Sequence, residues 1–205
     1  ILLENSMPVN LSDLVTIGVK GFESTKFQLP KKDSILPFIR QRLKHYLQNS
    51  APVDQVEAVL NSSGTFVEES LYHTHQKLLA LIQFSSLADY KTLVILVKRV
   101  MNILKDVSDI PDNLHENLLI EEAERTLYQV FKQKQNDIER SIADYQYHNA
   151  YKLIVSLKSP IDHFFDEVMV NCEDEVLKNN RLHLLHIMKD TLIRLADFRQ
   201  LQVEA

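Results

Sequence analysis

The sequence predicts an all-α protein built as two packed helical bundles. Three observations carry that prediction. Only three glycines occur, Gly18, Gly21 and Gly64, and the six prolines sit mostly at segment edges. Sheet-rich folds need tight turns more often than that composition allows. With 45% hydrophobic residues there is enough apolar material for a true core. Finally, the apolar residues of the longer segments recur at helical rather than strand spacing.

Each element follows from local signals. Asn10 or Ser12 caps a first helix that runs to about Phe22. A polar loop over 23–32 leads to Asp33, the cap of a second helix with Pro37 in its first turn. Pro52 opens a short third helix, VDQVEAVLN, which ends in a turn at 61–65. A long helix over 66–83 closes the first unit, and Ser85-Ser86 is the expected joint between residues 1–85 and residues 86–205.

The second unit opens with a helix over 87–105, followed by an acidic, proline-containing loop over 106–117. Glu121, Glu122 and Glu124 sit in the first turns of the next helix, where they complement its dipole, and that helix runs to about Ile142. A further helix spans 144–157. Pro160 then opens a closing pair, whose second member covers 176–198.

Charge and composition narrow the function. The formal net charge is −5. Residues 1–86 carry eight basic and eight acidic side chains, and residues 87–205 carry fifteen and twenty. A nonspecific nucleic-acid binder would be broadly basic, so any RNA contact must use a local patch on an acidic body. The single cysteine, Cys172, forms no internal disulfide and fits a reducing, cytoplasmic compartment. No apolar run reaches the roughly 18 residues of a membrane span, and no signal-peptide pattern opens the chain. Its first residue is Ile1 rather than Met, as expected of a piece of a longer polypeptide.

Three features are candidate binding elements. On the 87–105 helix, Leu93, Leu96, Val97, Val100, Met101, Ile103 and Leu104 make an apolar face, and Lys91, Lys98, Asn102 and Lys105 share the opposite side, with Arg99 at its margin. Such a stripe is either a solvated face or a phosphate-contacting one, and Asn102 adds an amide that both donates and accepts.

In the closing pair, Phe164 and Phe165 lie beside Asp166. Adjacent helical positions diverge by about 100°, so one ring is expected in the core and the other near the surface, where it could stack on an unpaired base. Arg181 projects into the apolar sector of the last helix, together with Asp174 one heptad earlier. It is either half of a structural Asp174–Arg181 pair or an arginine at the mouth of a groove.

Catalytic and metal signals are weak. His73 and His75 splay apart on a helix. His183 and His186, three apart on the polar side of the last helix, lack the further ligands that tetrahedral zinc needs. The order Asp162-His163 is the reverse of the His-Asp doublet of metal phosphohydrolases. There is no phosphate-cradling glycine loop and no nucleophile elbow. Cys172 stands in an acidic turn, which disfavours a nucleophilic thiolate.

Four segments in order carry a resemblance. They are KRVMNIL at 98–104, SLKSPIDHFFDEVMV at 156–170, EDEVLKNNRLHLL at 173–185 and IRLADFRQL at 193–201. Together they resemble the carboxyl end of the β subunit of bacterial-type glycyl-tRNA synthetase, with its DALR-type anticodon-binding helical domain. The first 85 residues are similar, more loosely, to the preceding helical region of that subunit, through ILLENSMPVNLSDLV and VDQVEAVLNSSG. One departure stands out: where the family has D-E-A-L-R, this chain reads Asp174-Glu175-Val176-Leu177-Lys178, and the bidentate geometry of an arginine is lost.

The resemblance implies an enzyme that ligates glycine to tRNA with ATP and magnesium. Its chemistry belongs to the α subunit, or to the α-like portion of a fused chain, and the β part binds tRNA. This chain would then be non-catalytic, with glycine tRNA and the α partner as its associates and no cofactor of its own. Glycine codons begin GG, so glycine anticodons end in two cytosines. An unstacked cytosine offers an N4 donor and N3 and O2 acceptors. The expected RNA-facing residues are Lys98, Arg99, Asn102 and Lys105, with Phe164, Phe165, Asp166 and Arg181 as secondary candidates. These assignments come from helix faces and not from the family. The competing expectation is a non-catalytic helical protein–protein interaction module.

Overall fold

The computed structural model describes residues 3, 5–22, 32–62, 70–105, 107 and 113–203. Nine α-helices and two 3₁₀ turns organise those residues, and their one β-type pairing is an isolated bridge between Asn10 and Ser70. The helices are α1 (Leu11–Phe22), α2 (Lys32–Leu47), α3 (Val53–Leu60), α4 (Leu71–Ser85), α5 (Tyr90–Ile103), α6 (Glu122–Ala143), α7 (Tyr147–Val155), α8 (Lys158–Glu167) and α9 (Glu175–Leu192). The all-α expectation holds.

The element boundaries show where tertiary contacts override local signals. Helix α2 begins at Lys32, so Pro37 lies past its first turn and leaves the carbonyl of residue 33 without its intrahelical donor. The capping role given to Asp33 concerns a side chain outside the described residues. Ser70 caps α4 by accepting from the His73 N–H at 3.2 Å, and residues 66–69 of the expected helix lie outside the described residues. Helix α5 starts at Tyr90 rather than 87, because the chain turns through Leu87 and Asp89 instead. There the Asp89 carboxylate receives Lys158 at 2.8 Å, which ties the starts of α5 and α8 together.

The last helix also stops early, at Leu192 rather than 198. Beyond it, the Asp197 N–H donates to the Ala58 carbonyl at 2.7 Å. The Asp197 carboxylate caps a 3₁₀ turn at Phe198–Gln200. Leu195 and Phe198 still reach the core, but from this tethered segment and not from a continuing helix.

Helix α6 ends in a Schellman motif. The Tyr145 N–H donates to the Ile142 carbonyl, and the Gln146 N–H to the Ser141 carbonyl at 2.7 Å. The residue in the left-handed position is Tyr145, with φ 59°. Glycine is the usual occupant, and an L side chain there costs about 1 kcal/mol.

One continuous hydrophobic core runs from Leu11 to Leu201. Helix α6 packs against α7, α8 and α9; α5 packs against α8, α9 and the last 3₁₀ turn; and α4 packs against α7. Packing therefore crosses the turn at Ser85-Ser86, since α3 and α4 both engage elements from the other side of it. Phe84 and Tyr151 stack at the heart of that junction, 4.7 Å apart. No single described helix is long and apolar enough to cross a membrane.

Candidate nucleic-acid interface

Helix α5 presents the basic stripe as its amphipathic period demands. Leu93, Val94, Leu96, Val97, Val100, Met101 and Leu104 are buried, while Arg99, Asn102 and Lys105 are exposed. Ile103, expected on the core face, is only half-buried, and Ile95 is exposed. These two apolar residues join Lys98, Arg99, Asn102 and Val203 around an open depression of about 650 Å³. Its rim is cationic and its floor partly apolar.

The depression is braced from outside α5. Lys98 Nζ donates to the Leu201 carbonyl at 2.7 Å. The Gln202 N–H donates to Asp54 at 2.8 Å. Asp197 bonds Arg199 at 2.8 Å. Burial by itself would raise the Asp197 carboxyl, but hydrogen bonds from Arg199 and Gln200 together outweigh it and hold the group below the usual carboxylate range. Residues 197–203 thus form a fixed wall, with Val203 at its lip. Lys98 is accordingly a tether as well as a cation, with one of its three donors committed.

Arg99 is held differently. Its guanidinium lies over the Phe165 ring, 4.2 Å from the centroid, a cation–π contact. Phe165 is 7% exposed and Phe164 0%. The expected surface ring is absent: both aromatics are core, edge to face at 5.4 Å, and neither is open to stack a base. Phe165 instead acts through the arginine above it. Asp166 is exposed at the far end of α8.

Arg181 is buried, at 5% exposure. Its Nε donates to Glu124 Oε1 at 2.6 Å, and its Nη1 donates to the Met169 carbonyl at 3.0 Å. The groove-mouth alternative is therefore excluded. The structural pair is real, but its acid is Glu124 rather than Asp174, which caps α9 through the N–H groups of Val176 and Leu177. Glu124 has a double role, because its other oxygen accepts the Glu121 N–H in a capping box.

Two further polar residues of α9 are buried. Asn180 is buried and clamps the His115 backbone at both its N–H and its carbonyl. His183, expected on the polar side, is buried, while His186 pairs with Asp190 at 3.2 Å. Among the described residues no group of three His, Cys, Asp or Glu side chains could hold a metal ion. At the departure from the family's run, Lys178 bonds Glu175 at 3.1 Å.

Comparison with known proteins is consistent with this arrangement. The profile of the DALR anticodon binding domain matches residues 94–197. A glycine–tRNA ligase β subunit of Sulfurihydrogenibium is 38% identical over 170 residues, covering 82% of this chain and 24% of that protein. The β subunit of Geotalea daltonii is 34% identical over 203 residues, 98% of this chain and 29% of its own length. That of Shewanella piezotolerans is 33% identical over 206 residues, again 98% and 29%. The chain thus spans less than a third of the length of these relatives. A matching profile over half of the sequence, on an all-helical body whose Lys98, Arg99 and Asn102 fall inside the matched region, shows that this chain belongs to the DALR anticodon binding domain family.

Proposed function

We propose that this chain is the tRNA-contacting carboxyl-terminal part of a glycine–tRNA ligase β subunit and contributes binding rather than chemistry. Residues 86–205 are the anticodon-recognising unit, and residues 1–85 continue the body of the subunit. Glycine, ATP and magnesium are handled in the cytoplasm by an α subunit or by the α-like portion of a fused chain. The exposure of Ile17, Phe22 and Phe38 on α1 and α2 favours a protein contact for the first unit.

The observation that carries the reading is the depression on α5, where a guanidinium held over the Phe165 ring stands one helical turn from a free amide. Arg99 supplies a cation for a phosphate. Asn102 supplies both a donor for cytosine N3 or O2 and an acceptor for its N4 amino group. Lys105, exposed at the end of the stripe, extends the positive rim. This division lets an acidic protein hold RNA locally while its remaining surface repels it.

The test compares glycine tRNA with the same tRNA carrying uracils in place of its two anticodon cytosines, using the whole ligase. Wild type should favour the cytosine form, and Asn102→Ala should reduce that preference about tenfold, the scale of one good base contact. Equal binding of both tRNAs by wild type, with no change in Asn102→Ala, would refute the assignment.

A further inference from the structure

A second set of residues, remote in sequence from the α5 stripe and sharing no lining residue with its depression, has the features of a base-stacking seat. Tyr145 is 55% exposed. Its ring lies flat on His73, with centroids 3.4 Å apart and planes 9° from parallel. Tyr147 braces the pair edge-on at 6.4 Å. Together with Pro8, Ser70 and Arg194, these rings line a cavity of about 330 Å³.

Three details separate this cluster from ordinary packing. First, Tyr145 occupies the left-handed position of the Schellman motif, where glycine would be easier, so the site keeps a large ring against backbone preference. Second, His73 is only 9% exposed and its Nδ1 has no hydrogen-bond partner. Burial first, and then the charge of Lys77, lowers its pKa, so it stays neutral and serves as a flat π surface. Third, Arg194, half-buried on the rim, makes no ion pair among the described residues. The carboxylates beside it in the adjoining groove are engaged elsewhere, Glu139 by Gln135 and Asp190 by His186.

We infer that Tyr145, backed by His73, stacks one unpaired base of a bound tRNA, and that Arg194 holds an adjoining phosphate. The inference rests on the tRNA-binding function proposed above. A pre-oriented aromatic face beside an uncommitted guanidinium is the chemistry that single-stranded RNA uses. Backing by a second ring removes the rotational freedom that the outer ring would otherwise lose on stacking.

The position offers an unusually clean variant. Tyr145→Gly removes the ring while favouring the backbone, so the thermal midpoint should hold or rise. Affinity of the whole ligase for glycine tRNA should fall about tenfold, and Tyr145→Phe should keep it, since stacking needs the ring and not the hydroxyl. Arg194→Ala should lower the slope of log affinity against log salt by about one. If Tyr145→Gly and Arg194→Ala bind as wild type does while Arg99→Ala binds weakly, the stacking seat is wrong and the tRNA-binding function stands. A change in oligomeric state without a change in tRNA affinity would assign the ring to a protein contact and overturn the inference. Failure of wild type to bind glycine tRNA removes both.

Discussion

Arg99 and Arg181 look alike in the sequence, each a lone arginine beside an apolar helical face, yet the fold uses them in opposite ways. Arg99 sits on the surface, its guanidinium over the Phe165 ring. Arg181 lies inside, locked between Glu124 and the Met169 carbonyl. The first leaves its outer face to solvent or a ligand, whereas the second is buried away from any ligand. The difference is made by partners far away in sequence: 57 residues separate Arg181 from Glu124.

Removing the buried acid should give the largest effect. Glu124→Ala strands the Arg181 guanidinium in the core and unmakes the α6 capping box, and should lower unfolding stability by about 3–5 kcal/mol. Replacing both partners at once with Met should restore most of that loss, because breaking a buried pair costs more than deleting it. Chemical denaturation of the two variants checks this. If Glu124→Ala is as stable as wild type, the buried pair is not holding α6 to α9.

A smaller effect is expected at the wall behind Arg99. The Asp197 carboxylate is held below its ordinary range, so its contribution is present above about pH 4, the unfolded value, and is lost as pH falls through the lowered folded value. Asp197→Asn should therefore cost on the order of 1–2 kcal/mol near neutrality, with the gap to wild type closing in acid. Stability measured from pH 7 down to pH 3 reads it directly. A gap that stays constant across that range would mean that the amide, and not the lost charge, causes the change.

Much of this was legible in the sequence for a physical reason. The scarcity of glycine, the helical period of α5 and the acidic start of α6 are local properties, and local properties fix helices. The stripe of Lys98, Arg99, Asn102 and Lys105 followed from period alone. What local pattern could not supply was anything decided by distant contacts. It could not show that Phe165 lies beneath Arg99, that the Leu201 carbonyl claims Lys98, or that Glu124 rather than Asp174 answers Arg181. The early end of α9 belongs to the same class, since the Ala58 carbonyl that captures Asp197 lies in α3. Tyr145 carried a readable signal only in retrospect: a helix end followed by a bulky residue where glycine is usual.

The division of labour between the two arginines is tested most directly by measuring thermal midpoint and glycine tRNA affinity together on Arg99→Ala in the whole ligase. A surface cation facing RNA predicts a midpoint near that of wild type, weaker binding, and a salt slope shallower by about one phosphate contact. A fall in the midpoint with tRNA affinity and salt slope unchanged would contradict it, and would make Arg99, like Arg181, a part of the scaffold.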